Sequence, residues 1–257
     1  PLATGGSGTG LELVVARHRE PGVDLGRGAR TDGHLDLQPL DGEIQLRAAE
    51  LPLHRGDAPA GGGPVVQGVS EDEGALGLLE LEKLLGAHYA ITVIAPAVEQ
   101  SAASHALTLR DPVRATRLSE SRVAVLGTPA DCVYLGLHHF LKRDDVRLVV
   151  SGINKGTNLG TDIHYSGTVA AAKEGALAGV RSLAVSMDHA PMGAARRDAH
   201  WETAAGLACR VAERLLQLGD GAPLLWSLNV PDVPRSELKG LRVCRVGRRF
   251  YSSDVQA

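Results

Sequence analysis

The chain has 257 residues, of which 44% are hydrophobic and 22% charged, the proportions of a soluble globular protein. Its formal net charge of -3 offers no global basic field for nucleic acid or an anionic membrane surface. No apolar run approaches the roughly 18 to 20 residues that span a bilayer, and no charged stretch followed by an apolar core opens the chain. The expectation is a cytoplasmic enzyme or binding protein without nucleic-acid or membrane partners. Cys132, Cys209 and Cys244 are odd in number and lie far apart within mainly apolar patterns, so free thiols are expected rather than disulfides or a metal site.

Residues 1–63 differ from the remainder. The Gly- and charge-rich stretches PLATGGSGTG, GRGARTDG and RGDAPAGGG surround weak alternations such as that over residues 33–46. The expectation is a poorly ordered extension outside the domain, with a small β module as the alternative. From Pro64 to residue 257 short apolar runs alternate with helical periods. Strands are predicted over 65–69, 89–95, 122–126, 147–150, 182–186, 224–230 and 241–246. Helices are predicted over 76–85, 130–141, 168–178 and 201–218. Thr128-Pro129 supplies the second helix with a side-chain cap and a proline at its first position. Strands separated by helices predict a Rossmann-like α/β fold, a mostly parallel sheet with helices on both faces.

In such a sheet ligands bind at the carboxyl ends of the strands. The segment 151–168, SGINKGTNLGTDIHYSGT, follows one strand and leads into a helix. It holds two Asn, an Asp, a His, a Tyr, four Gly and five Ser or Thr. A long connection of that composition inside a domain is usually functional. Ser166, Gly167 and Thr168 open the helix with exposed N–H groups and two hydroxyls, an anion site. The strand over 65–69 delivers Ser70-Glu71-Asp72-Glu73-Gly74. These acids either favour the helix N-terminus, worth about 0.3 to 1 kcal/mol each when exposed, or hold a hard divalent cation. The strand over 89–95 delivers Ser101, Ser104 and His105, each a candidate contact, though taken alone each is more often a solvated loop residue. Carboxylates, an Asn and a Ser meeting a helix N-terminus fit metal-assisted phosphoryl hydrolysis. GxxxxGK[ST], GxSxG and HExxH are absent, and GxGxxG does not follow the first strand.

The stretches VIAPAVEQSAASHALTL, GTPADCVYLGL, VVSGINKGTNLGTDIHYSGTVAAAKEGALAG, LAVSM, LNVPDVP and KGLRVCRVGRR together resemble the SurE family of 5'/3'-nucleotidases, from about Val65 onward. The resemblance implies a divalent-metal-dependent phosphatase of nucleoside monophosphates, with one Mg2+ or Mn2+ per subunit. It implies metal ligation by Asp72, Glu73, Ser101 and Asn154, with Asp72 accepting the proton of the attacking water. Asn158, Ser166, Gly167 and Thr168 match family positions around the phosphate. Where the family reads SNDDG this chain reads Ser70-Glu71-Asp72-Glu73-Gly74, and a gapless alignment would instead place Ser70 and Glu71 at the paired carboxylates. The resemblance further implies homodimers or tetramers assembled through an extended C-terminal hairpin, which is expected to be missing from residues 64–257. An inactive relative that keeps the fold and binds nucleotide without hydrolysis, and a nucleotide-sugar transferase on a similar sheet, are the alternatives.

Overall fold

The computed structural model describes residues 13–17, 73–98, 100, 103–188, 199–219 and 224–248, with backbone alone for 13–17 and 73–75. In chain order the regular elements are β1 (Leu13–Arg17), α1 (Glu73–Gly86), β2 (Ala90–Pro96), β3 (Arg114–Arg117), β4 (Arg122–Leu126) and α2 (Pro129–Leu135). They continue with β5 (Val146–Lys155), α3 (Gly167–Leu177), β6 (Arg181–Asp188), α4 (Trp201–Gln217) and β7 (Leu225–Pro231). One seven-stranded sheet has the order β3-β4-β2-β1-β5-β6-β7. β2, β4, β5, β6 and β7 run in one direction, while β1 and β3 are reversed. The expected mostly parallel α/β architecture is therefore present.

β1 fills the slot between β2 and β5, with Val14 opposite both Val93 and Val150. A strand there completes two ladders at once, since each neighbour would otherwise leave a row of N–H and C=O groups unpaired. The strand expected over 65–69 lies outside the described residues.

Each face of the sheet is covered by apolar helix surface. Leu78, Leu81 and Leu85 of α1 and Ala204, Ala205, Ala208, Ala212 and Leu215 of α4 pack with Val93, Leu148, Val150, Leu183, Val185 and Met187. On the other face, Ile94, Val123, Val125 and Val149 meet Cys132, Val133, Leu137 and Ala171. Burying one leucine contributes about 1.5 to 3 kcal/mol, so these two layers dominate stability. The run of alanines in α3 and Gly175 let that helix lie close to the sheet: a Cβ on Gly175 would meet Ser182 Oγ at 2.5 Å and Val149 Cβ at 3.0 Å.

Several sequence expectations require correction. The helix predicted over 130–141 stops at Leu135 and continues as a wider π turn over Gly136–Phe140. The widening begins at Gly136, where the backbone passes so near Ile94 that a Cβ would meet its Cδ1 at 2.8 Å. β3 escapes sequence reading because Arg114, Ala115, Thr116 and Arg117 are all exposed and show no apolar alternation; pairing with β4 alone makes the strand. Residues 241–246, predicted as a strand, have no regular structure, and Leu241, Val243 and Val246 are exposed. A ladder needs a neighbour, and among the described residues none pairs with this segment.

The segment 151–168 is also more ordered than predicted. β5 runs on through Lys155, and a 3-10 turn spans Gly160–His164. Gly152 conceals the strand continuation. Its φ is +126°, and a Cβ there would lie 2.2 Å from Val185 O, so the β5–β6 register breaks between Ser151 and Asn154. Gly152→Ala is expected to cost about 1 to 3 kcal/mol through overpacking and an unfavourable φ, read as a lower urea midpoint.

The cysteines are free, with Cys132 and Cys209 buried and Cys244 exposed. Burial, reinforced by the neighbouring Asp131, drives the Cys132 thiol far above its usual value. Burial and Glu213 push Cys209 up to about 12. Thiolate is the reactive form, so iodoacetamide at neutral pH is expected to label Cys244 and spare the other two, as read by peptide mass spectrometry.

Candidate active site

The carboxyl ends of the parallel strands bring together much of what the sequence singled out. Asn154 lies at the end of β5, in register with Ser186 of β6, which in turn faces Asn229 of β7. Ile153, Val185, Met187, Leu228 and Val230 belong to the core on the α1–α4 side. Alternation along a strand then turns Asn154, Ser186 and Asn229 to the α3 side. The Nδ2 of Asn154 donates to Gly156 O at 2.9 Å. That bond orients the amide, whose carbonyl oxygen is a hard donor of the kind Mg2+ or Mn2+ takes.

Asn158 is buried and fastens the loop. Its N–H donates to Asn229 Oδ1 at 2.8 Å, its carbonyl accepts from Asn229 Nδ2 at 3.2 Å, and its own Nδ2 donates to Ser186 Oγ at 2.6 Å. Asn229 and Ser186 were not singled out from sequence, because a polar residue in an apolar strand reads as an interruption until its partner is known.

α3 begins where expected. Ser166 is its N-cap and accepts from Val169 N at 3.1 Å, which satisfies one of the orphan donors of the first turn. Gly167 and Thr168 are buried in that turn. Thr168 Oγ1 is buried with no hydrogen-bond partner among the described residues. An unpartnered buried hydroxyl costs about 1 to 3 kcal/mol, and at a helix N-terminus its natural complement is an anion.

The loop after β2 is stapled on two sides. Toward α3, Ser104 Oγ donates to His164 O at 2.7 Å and Ser104 N to Tyr165 O at 3.2 Å. His105 Nε2 meets Glu174 Oε2 at 2.8 Å. Toward α2, the buried Asp131 accepts from Thr108 N at 2.9 Å, Thr108 Oγ1 at 2.6 Å and Thr128 N at 2.8 Å. Thr128 Oγ1 is the reciprocal cap for Asp131 N and donates to Ala106 O at 2.7 Å. Asp131 therefore does three things with one carboxylate: it caps α2, anchors the loop and orients Thr108. The sequence signal was available in Thr-Pro-x-Asp, a capping-box pattern.

Asp72 and Ser101 lie outside the described residues. Glu73 is the first residue of α1, at the same edge of the sheet. Among the described residues no group of three or more His, Cys, Asp or Glu side chains converges. Asn154 and the α3 turn are brought to one edge, and both fit a hard cation beside an anion.

A family described as survival protein SurE matches residues 68–253, a region that includes the acids at 71–73 and leaves Leu13–Arg17 outside. The 5'/3'-nucleotidase SurE of Proteus mirabilis is 42% identical over 191 residues, 73% of this chain and 71% of that protein. The 5'-nucleotidase SurE of Methylobacterium sp. strain 4-46 is 41% identical over 70% of this chain and 72% of its own. The crystal structure of the SurE protein from Aquifex aeolicus superposes with a TM-score of 0.61 at 34% identity, covering 67% of this chain and 68% of that one.

Asp131→Asn replaces an acceptor-only carboxylate with a group that must turn an NH2 toward existing donors. It is expected to destabilise the fold by about 2 kcal/mol, seen as a reduced urea midpoint.

Proposed function

The chain belongs to the SurE family, and from that premise we propose that it is a divalent-metal-dependent 5'-nucleotidase, converting nucleoside monophosphates to nucleoside and phosphate. The observation that carries the reading is the buried Thr168 Oγ1 in the first turn of α3, without a partner among the described residues, at the same sheet edge as Asn154. Phosphate held there accepts from the free N–H groups of the turn and from that hydroxyl, which removes the desolvation cost of leaving it unpaired. Asn158 serves by holding the loop onto β6 and β7, so that Ser166, Gly167 and Thr168 keep their position.

Asp72, Glu73, Ser101 and Asn154 would hold one Mg2+ or Mn2+. When bound, such a cation polarises the phosphoryl oxygens and makes water a stronger nucleophile. The chain's own contribution would be placement and proton handling: the α3 turn orients the phosphate, and Asp72 takes the proton of the attacking water. The reading includes a cytoplasmic location. It also includes assembly into dimers or tetramers, which the exposed apolar side chains of Leu241, Val243 and Val246 support as surface left for a partner.

Asn154→Ala is expected to abolish metal-dependent release of phosphate from a nucleoside 5'-monophosphate while leaving the thermal midpoint nearly unchanged. Retained turnover in that variant overturns the assignment. Removal of the cation with EDTA is expected to stop wild-type turnover, and added Mn2+ to restore it.

A further inference from the structure

A second constellation sits at the same edge, outside the residues assigned above. His200 is the N-cap residue of α4, and Asp232 follows β7, three residues beyond Asn229. Asp232 Oδ1 accepts from the backbone N–H of His200 and from its Nδ1, both at 2.8 Å. The carboxylate side chain is 4% exposed and the imidazole 32% exposed. A carboxylate can only accept, so Nδ1 carries the proton, and the two bonds from one residue fix both the ring plane and the tautomer. Nε2 is then the nitrogen left for chemistry. This is the orientation a carboxylate gives to an imidazole that handles protons. N-capping does not explain it, because the His200 side chain makes no capping bond.

The packing places the His200 end of α4 against the first turns of α1. Trp201, the next residue, lies against Gly77 of α1: a Cβ there would meet Trp201 Cε3 at 3.1 Å and Ile153 Cβ at 3.0 Å. Gly77 is one helical turn from Glu73, and Ile153 precedes Asn154. The first turns of α1 are thus flanked by the His200 end of α4 on one side and by the Asn154 end of β5 on the other.

We propose that His200, oriented by Asp232, is the proton donor to the leaving nucleoside oxygen. This rests on the nucleotidase reading and adds to it the second half of the proton inventory. A water oxygen forms the new P–O bond and gives one proton to Asp72. The P–O bond to the nucleoside breaks, its electron pair stays on the nucleoside oxygen, and the Nε2 proton of the imidazolium completes the hydroxyl. The proton gained by Asp72 and the one lost by His200 exchange through solvent, so that ester and water become alcohol and phosphate with nothing left over. Asp232 is a positioning residue in this step, acting only through His200.

Leaving-group dependence tests the assignment. A nucleoside alkoxide is a poor leaving group that requires protonation, whereas p-nitrophenolate leaves without it. Wild type, His200→Asn, His200→Gln and Asp232→Asn are assayed with a nucleoside 5'-monophosphate and with p-nitrophenyl phosphate in saturating Mn2+, after circular dichroism has verified folding. Asn is itself a favoured N-cap residue, so His200→Asn retains a start for α4. The expected result is a fall in kcat of about 10²-fold or more on the nucleotide, little change in KM, and a loss below about threefold on p-nitrophenyl phosphate. Asp232→Asn is expected to show the same selectivity at smaller amplitude. Equal losses on both substrates, or none, overturn the role of His200. A wild type that releases no phosphate from either substrate overturns the nucleotidase reading instead.

Discussion

The close approach of Gly152 to Val185 is the constraint on which the site depends. A strand that stayed in register through residue 155 would continue the β5–β6 ladder unbroken into the edge of the sheet. The backbone contact at Gly152 allows a conformation closed to L side chains and breaks the register between Ser151 and Asn154. Beyond that break Ile153 enters the core while Asn154 turns to the α3 side of the sheet. One missing side chain thereby converts the end of a buried strand into the start of the candidate site.

The rest of the edge is built by fastening loops to elements that cannot move. The segment after β5 is tied to β6 and β7 through Asn158, Ser186 and Asn229. The loop after β2 is tied to the 3-10 turn before α3 through Ser104, to α3 itself through His105, and to α2 through Asp131. These bonds are largely buried or half-buried, where a hydrogen bond is worth more and its loss costs more than in water. Preorganisation of this kind lets a few hydroxyls and amides act on a phosphate without reorganising at the moment of reaction.

The two faces of the sheet contribute different chemistry. The α2–α3 face supplies the first turn of α3 and the polar row of Asn154, Ser186 and Asn229. The α1–α4 face supplies the start of α1 with Glu73 and the His200–Asp232 pair. Helices on both faces therefore begin over the same strand ends, which is how an open α/β sheet assembles a site from residues far apart in sequence.

The alternation of apolar runs and helical periods, the caps at Thr128 and Ser166, and the polar segment after β5 were legible in the sequence, because each is written in local chemistry: side-chain period, capping residues, glycine content. So was the SurE resemblance, which named Asn154 and the Ser166 to Thr168 turn. What sequence could not determine was whatever needed a partner. β3 exists only because β4 lies beside it, and residues 241–246 form no strand because no described neighbour completes the ladder. The occupation of the slot between β2 and β5 by Leu13–Arg17 was decided by two flanking strands whose backbone groups require pairing. The Asp131 staple, the Asn158–Asn229 pair and the His200–Asp232 couple join residues 23 to 71 positions apart. Hydrogen bonds of that span have no local signature, so only the packed tertiary structure decides them.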